Sequence, residues 1–311
     1  MKDLDLIKKV QITDADSFPD LGFGDNWYNE RVGNVFGLAS LTGEPWKKMK
    51  KLATPPFSVP RLKKTVPAMN ECGQKLRLYM EKHENDEFVD GLDFSRKFFM
   101  NTVASVVFGT DIDCYGEVES EFEKRGKGLI SLSRFLMTKF MPGVAGTLNI
   151  KMIDPEAEKF FMGLCKQIVE QRKNSKQEVR DVLGNLIAVS QENPEMSADI
   201  LYKTCLQFFT DGYESASQVM TVLIHHLTFN PDVQEKIQDE IDAVFENKED
   251  DAELEQEDLI NLTYLDQVIA EGLRIGMIPN TARSCTKPWK VPGDNLVIPV
   301  GMHVIIPAVR T

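Results

Sequence analysis

Three hundred and eleven residues, 42% apolar and 27% charged, suffice to bury a sizeable core and exclude a disordered or low-complexity chain. Forty-eight Asp and Glu against thirty-six Lys and Arg give a net charge of −12, which argues against a nucleic-acid partner held by phosphate neutralisation. Five cysteines (Cys72, Cys114, Cys165, Cys205 and Cys285) are odd in number and at least forty residues apart, so neither a zinc site nor a disulfide scaffold is expected and a reduced, cytosol-facing environment fits best.

In chain order the sequence reads as helix after helix. Leu6, Ile7 and Val10 predict a short first helix, and Asp14 to Gly43, rich in Gly, Asn and Asp, a long irregular loop. Pro45 suits the first turn of a helix through WKKMKKLA that Pro55 and Pro56 stop. Apolar spacing predicts helices over Leu62 to His83, Phe94 to Val107, Glu121 to Met137, Pro155 to Arg172 and Glu178 to Ser190, with a broken connector at FMPGVAGTLNI. Ser197 is an N-cap for a helix from Ala198 to about Thr228, and its apolar residues, spread round much of the circumference, place it inside the protein. Asn230-Pro231-Asp232 opens the next helix, to Phe245. Glu246 to Asp258 holds eight acids and one lysine and reads as a solvated loop. Tyr264 to Ile275 is a further helix, and Val291, Val297-Ile298 and Val304 to Ile306 are short strands. No apolar run reaches the ~18–20 residues of a bilayer span. Met1 is followed at once by Lys2, Asp3 and Asp5, so neither a membrane helix nor a signal peptide is expected and a soluble chain is. The expected class is mainly α with a minor β element.

Chemistry concentrates in a few places. Asp211-Gly212-Tyr213-Glu214-Ser215 sits in the middle of the long helix, where buried carboxylates are costly unless paired and glycine costs about 1 kcal/mol against alanine. The combination suggests a site where a ligand approaches the backbone and protons move. Glu271 and Arg274, one turn apart on the polar side of their helix, read by themselves as a surface salt bridge. Trp46 and Lys50 could both reach one anion. His225-His226 point about 100° apart and are poor candidates for a shared metal.

Taken in order, Trp46-x-x-x-Lys50, FFTDGYESAS from Phe208 to Ser217, YLDQVIAEGLR from Tyr264 to Arg274 and Arg283 before VPGDNLVIPVG resemble the cytochrome P-450 family of haem-thiolate monooxygenases, its microsomal animal branch most of all. FMNTVASVVFG and FNPDVQEKIQDEID are similar to the same pattern, so the resemblance covers essentially the whole chain. It implies one partial domain over residues 1–311, a helical fold incomplete at both ends, with the N-terminal anchor and the FxxGxxxCxG segment carrying the iron's cysteine ligand lying outside. It implies haem b as cofactor, Trp46, Lys50 and Arg283 at its propionates, and Glu271 and Arg274 as a buried structural pair. Glu214 and Ser215 match an acid–alcohol pair that relays protons during oxygen activation. Phe208, Asp211, Gly212, Ile278 and Ala282 border the oxygen groove and substrate, together with the Tyr28–Ala39 loop and the 134–150 connector. Lys50 stands where arginine is usual, Ser215 where threonine is usual, and Asp211 where a small residue is usual. No cysteine here matches the axial ligand, so no metal ligand is assigned and the chain is expected to be an inactive fragment. The implied activity is insertion of one oxygen atom of O2 into a lipophilic substrate. Electrons would come from an NADPH–cytochrome reductase, with cytochrome b5 as an optional partner, at the cytosolic face of the endoplasmic reticulum membrane. The alternative is a catalytically silent helical module that binds apolar ligands or partners.

Overall fold

The computed structural model describes residues 1–21, 38, 41, 43–173, 181–246, 248, 252–276 and 280–307. Its class is mainly α, as expected. Helices α1 (Leu4–Lys8), α2 (Gly43–Ala53), α3 (Val59–Lys63), α4 (Val66–Lys82), α5 (Gly91–Val103), α6 (Glu121–Lys127), α7 (Leu132–Phe140) and α8 (Pro142–Thr147) precede α9 (Pro155–Lys173) and α10 (Val182–Glu192). They are followed by α11 (Ala198–Thr228), α12 (Pro231–Phe245), α13 (Gln256–Asn261) and α14 (Thr263–Gly276). Short strands are β1 (Asp20–Leu21), β2 (Asn280–Ser284), β3 (Trp289–Lys290), β4 (Val297–Ile298) and β5 (His303–Pro307). The chain groups into two compact units. The first comprises 1–51, 130–155 and 278–311; the second comprises 52–129 and 156–277.

The first unit contains an antiparallel sheet in the order β1-β2-β5 and a second pair, β3-β4. Its core gathers Val10, Phe18, Cys285, Trp289, Val291, Ile298, Val304 and Ile306. Trp289 meets Phe18 edge-on at 5.4 Å and satisfies its indole by donating to Asp14 Oδ2 at 2.8 Å, so the largest side chain of this core is buried without an unpaired polar atom. Strands β1 and β2 are additions to the expected pattern. Neither has a long apolar run, and both are defined by pairing, Leu21 opposite Arg283 and Ala282 opposite Ile305.

In the second unit α11 packs along α5, and its bounds and Ser197 cap are those expected. Its hydroxyl residues do not break it, because Thr204, Thr210 and Thr221 donate to the carbonyl four residues back at 2.7–2.9 Å. Burial concentrates in its first two-thirds, from Leu201 to Ser217. Around Phe209 lies a cluster of Phe108, Phe122 and Phe161.

Several expected elements are corrected. Leu62 to His83 is two helices, α3 and α4, parted by a turn in which Thr65 Oγ1 donates to Leu62 O. Glu121 to Met137 is also two, since Ile130 leaves the helix to pair with Ile153. The 140–150 connector contains α8, which opens on Pro142 at its first turn. The Glu178–Ser190 helix is α10, begun at the Asp181 cap. The acidic run is not simply solvated. Glu255 and Asp258 form a capping box that starts α13, and Lys248 holds Asp258 at 2.6 Å. Lys63 pairs with Glu257, and Asn70 donates to Leu254 O at 2.9 Å, so a segment with few apolar residues is held by polar partners on α3 and α4.

Gly272 sets the approach of α14 to α11. A Cβ there would lie 2.2 Å from Leu223 Cδ2. Gly272→Ala is expected to lower stability by about 1–3 kcal/mol through overpacking, read as a lower urea midpoint at unchanged slope.

Candidate functional site

The residues expected to act sit in both units. In the first, Trp46 is half-buried on α2 and the Lys50 ammonium lies 4.7 Å from its ring centroid, one helical turn on. Arg283 is half-buried in β2 and donates from Nη1 to Ala282 O at 2.9 Å. Ala282 is half-buried on the same strand; Ile278 and nearly all of the Tyr28–Ala39 loop lie outside the described residues.

In the second unit, the middle of α11 divides its polar groups between two sides. Glu214 turns to α5, where Oε1 accepts from Arg96 Nη2 at 2.6 Å and from Gln218 Nε2 at 3.0 Å. Both side chains of that ion pair are 35% exposed. Burial acts to raise the Glu214 carboxyl, but the Arg96 and Gln218 hydrogen bonds and the Arg96 charge outweigh it and hold the group below the usual carboxylate range. Ser215, one residue and about 100° further round, is exposed, and its Oγ donates to Asp211 O at 2.5 Å. The serine proton is thereby committed to the backbone while its lone pairs remain open to a donor. Asp211 keeps solvent contact but is crowded by protein on most sides. That desolvation pushes its carboxyl above the ordinary value, against the Gln207 Nε2 donation to Oδ2 at 3.1 Å.

Gly212 has a packing reason the sequence did not offer. A Cβ there would lie 3.2 Å from Val103 Cγ2, so the glycine lets α5 approach α11. Phe208 is half-buried and meets Phe57 edge-on at 4.8 Å.

Glu271 and Arg274 form the expected pair, with both contacts at 2.6 Å: Nε to Oε2 and Nη2 to Oε1. The pair is not buried, however. The side chains are 56% and 63% exposed. Their outward direction on α14 follows from the packing of Gly272 on the opposite side of the helix. Gly272 is buried and faces Leu223, so positions 271 and 274 turn outward, and Ile269, expected on the apolar face, is 38% exposed. Beside them a groove of about 420 Å³ is lined by Leu223, Leu227, Val233, Tyr264, Val268 and Ile275.

Arg96, Gln218 and Gln207 were not legible as site residues. Arg96 lies 118 residues from Glu214, on a helix with no motif of its own. Gln207 and Gln218, four residues from Asp211 and Glu214, carry a weak helical-spacing signal.

The donors on α2 and β2 fit the carboxylate edge of a porphyrin: a lysine, an arginine and an indole N–H, none of them an acid. The thiols do not fit an iron ligand. All five cysteines are buried and free, and burial raises Cys72 and pushes Cys114 up to about 12. Among the described residues no group of three or more His, Cys, Asp or Glu could hold a metal, and no helix is long and apolar enough to cross a membrane.

A mainly helical chain with these motifs in this order matches the family model for cytochrome P450 over residues 1–311. The chain belongs to the cytochrome P450 family. It is 29% identical to probable cytochrome P450 6a13 of Drosophila melanogaster over 98% of its own length and 62% of that protein. It is 27% identical to cytochrome P450 6A1 of Musca domestica, again over 98% of the chain and 62% of the relative. Cytochrome P450 3A29 of Sus scrofa is 29% identical over 88% of the chain and 56% of the relative. The chain spans about three-fifths of the length of the curated relatives it matches.

Proposed function

We propose that this chain supplies the proton-handling and propionate-binding part of a haem-dependent monooxygenase that inserts one oxygen atom of O2 into a lipophilic substrate. The observation that carries the reading is the ionised, half-buried Glu214 beside the Ser215 hydroxyl, in the middle of a long helix of a P450 chain. Haem b, when bound, supplies the oxygen and electron chemistry. Trp46, Lys50 and Arg283 would hold its propionates by hydrogen bonding and charge, Lys50 more weakly than an arginine because an ammonium lacks the planar fork. Glu214, charged at neutral pH, takes up a proton from solvent. Ser215 would accept it at Oγ through its open lone pairs, while its own proton, turned away from the Asp211 carbonyl, passes to a water in the site. Phe208, Asp211, Gly212, Ile278 and Ala282 would border the substrate, Asp211 favouring a cationic or hydroxylated one. Glu271 and Arg274 act as a structural pair. Electrons would come from an NADPH–cytochrome reductase, with cytochrome b5 as a second donor, at the cytosolic face of the endoplasmic reticulum membrane.

Haemin titration followed by tryptophan fluorescence tests the cofactor half. Trp46→Phe is expected to remove part of the quenching, and Arg283→Glu to weaken haemin binding about tenfold or more by placing like charges together. Equal affinity in the parent and Arg283→Glu would remove Arg283 from the site. Absence of haemin binding altogether would favour the silent helical module.

A further inference from the structure

Two of the five cysteines face each other across the seam between α9 and α11. Phe161 of α9 lies 4.8 Å from Phe209 of α11, ring centroid to ring centroid, and neither side chain is exposed. Cys165 follows Phe161 by one turn, Cys205 precedes Phe209 by one turn, and their thiols are in hydrogen-bond contact. The two contacts advance along α9 and retreat along α11, so the helices meet antiparallel with each cysteine opposite the other. One turn further on, Val169 and Leu201 are buried as well. A cysteine has a single heavy atom beyond Cβ, so two of them touch only where the backbones come close, whereas the phenylalanines beside them span a wider gap. Both cysteines are free and have no solvent exposure. Cys72 on α4, Cys114 in the segment before α6 and Cys285 in the core of the first unit belong to other surroundings.

We propose that Cys165 and Cys205 are a reversible oxidation site, joined by a peroxide into a disulfide that ties α9 to α11. The proposal does not depend on the proton relay. Burial pushes the Cys205 thiol well above its ordinary value, so in the closed seam that sulfur stays protonated and unreactive. Reaction follows a transient parting of the two helices, and the bond forms as they close again. The step balances with hydrogen peroxide as the only oxidant. One sulfur attacks the O–O bond and becomes a sulfenic acid, its proton leaving with the displaced oxygen as water. The second thiol attacks that sulfur: the S–S bond forms, the S–O bond breaks, and the second proton leaves with the hydroxyl as another water. The thiols lose two electrons in all, and the peroxide gains them. The bond closes a loop of about forty residues that contains the Arg172–Asp181 pair and the start of α10. It lies about two and a half turns before Glu214 on the same helix, so oxidation fixes α9 against the helix that carries the candidate site.

The test uses the full chain, reduced with a phosphine, freed of it and treated with hydrogen peroxide in the absence of urea. Peptide mass spectrometry without reduction should show Cys165 joined to Cys205, with Cys72, Cys114 and Cys285 still free, and dithiothreitol should remove the link. The urea midpoint is expected to rise by about 0.5–1 M in the oxidised protein and to fall back on reduction, the range for a cross-link closing a loop of this length. Cys165→Ala and Cys205→Ala should each lose both the link and the rise. Each protein is compared with itself, oxidised against reduced, so a change of stability caused by the alanine does not enter. If an alanine variant fails to fold, the parent's own shift on reduction decides. Absence of the link overturns the proposal, as does a link that joins a different pair or forms only in urea. A link with an unmoved or lowered midpoint also overturns it, since the bond would then strain α9 against α11 instead of tying them.

Discussion

Phe209→Ala is expected to destabilise the protein by about 3–5 kcal/mol, the range for a fully buried phenylalanine truncated in a core that cannot collapse around the gap. The Phe209 side chain has no solvent exposure and is surrounded by rings: Phe161 at 4.8 Å, Phe122 at 5.3 Å, Tyr213 stacked at 5.5 Å and Phe108 at 6.0 Å. These rings come from four different segments of the second unit, so no single side chain can swing in to fill the space. Gly126 has no Cβ where one would lie 2.9 Å from Phe209 Cζ, which shows how closely α6 is drawn onto this ring. Truncation therefore loses the transfer free energy of the ring and leaves a cavity walled by stiff aromatic side chains. Phe209→Leu retains most of the volume and is expected to cost less than half as much. Urea unfolding of the three proteins checks the prediction; a loss below about 1 kcal/mol for Phe209→Ala would mean the cluster relaxes as a fluid core does. The effect should spread to the candidate site, because Tyr213 stacks on Phe209 and its neighbour Glu214 must stay turned to Arg96.

The helical class, the bounds of α11 and the order of the motifs were legible because each rests on local information: the Ser197 cap, uninterrupted apolar spacing and contiguous residues. Pairing across the chain was not legible. Strand β2 carries Arg283 but has no apolar run, and its identity as a strand depends on partners some twenty and more than two hundred residues away. The breaks at Lys64–Thr65 and Leu129–Ser131 lie inside sequences with good helical spacing, and an isolated bridge to Ile153 decides the second. At the site, the sequence could mark Glu214 and Ser215 but not the direction in which either points. That direction comes from Arg96 on another helix and from a back-bond to Asp211. Glu271 and Arg274 show the converse. Helical geometry alone placed them one turn apart opposite the apolar face, and they form the ion pair that this spacing allows.

Asp181→Ala is expected to cost about 3–5 kcal/mol, the range for removing one partner of a largely buried ion pair. The side chain is 12% exposed and that of Arg172 is 24% exposed. Asp181 Oδ1 accepts from Arg172 Nη1 at 2.7 Å and from the Gly184 N–H at 2.8 Å, so the same atom pairs a charge and caps α10. Arg172 in turn donates from Nη2 to Phe108 O at 3.0 Å, satisfying a carbonyl freed where the π-helical turn Ala104–Phe108 ends. Gly109 completes that ending in a left-handed conformation at φ 62°, and a Cβ on it would lie 2.6 Å from both Arg172 Nη2 and Asp181 Oδ2. One aspartate thus ties together the end of the α5 segment, α9 and the start of α10. Asp181→Asn separates its two duties, since the amide oxygen can still cap Gly184 but the charge opposite Arg172 is gone. It should fall between the parent and Asp181→Ala, the remaining difference from alanine being the cap, about 1 kcal/mol. Gly109→Ala should destabilise through the same cluster, by strain at positive φ and by displacing the pair. Double-mutant analysis of Asp181→Ala with Gly109→Ala checks the connection. The double mutant is expected to lose less than the sum of the two single losses, because either change breaks the same contact; strict additivity would show that the turn and the ion pair are held independently.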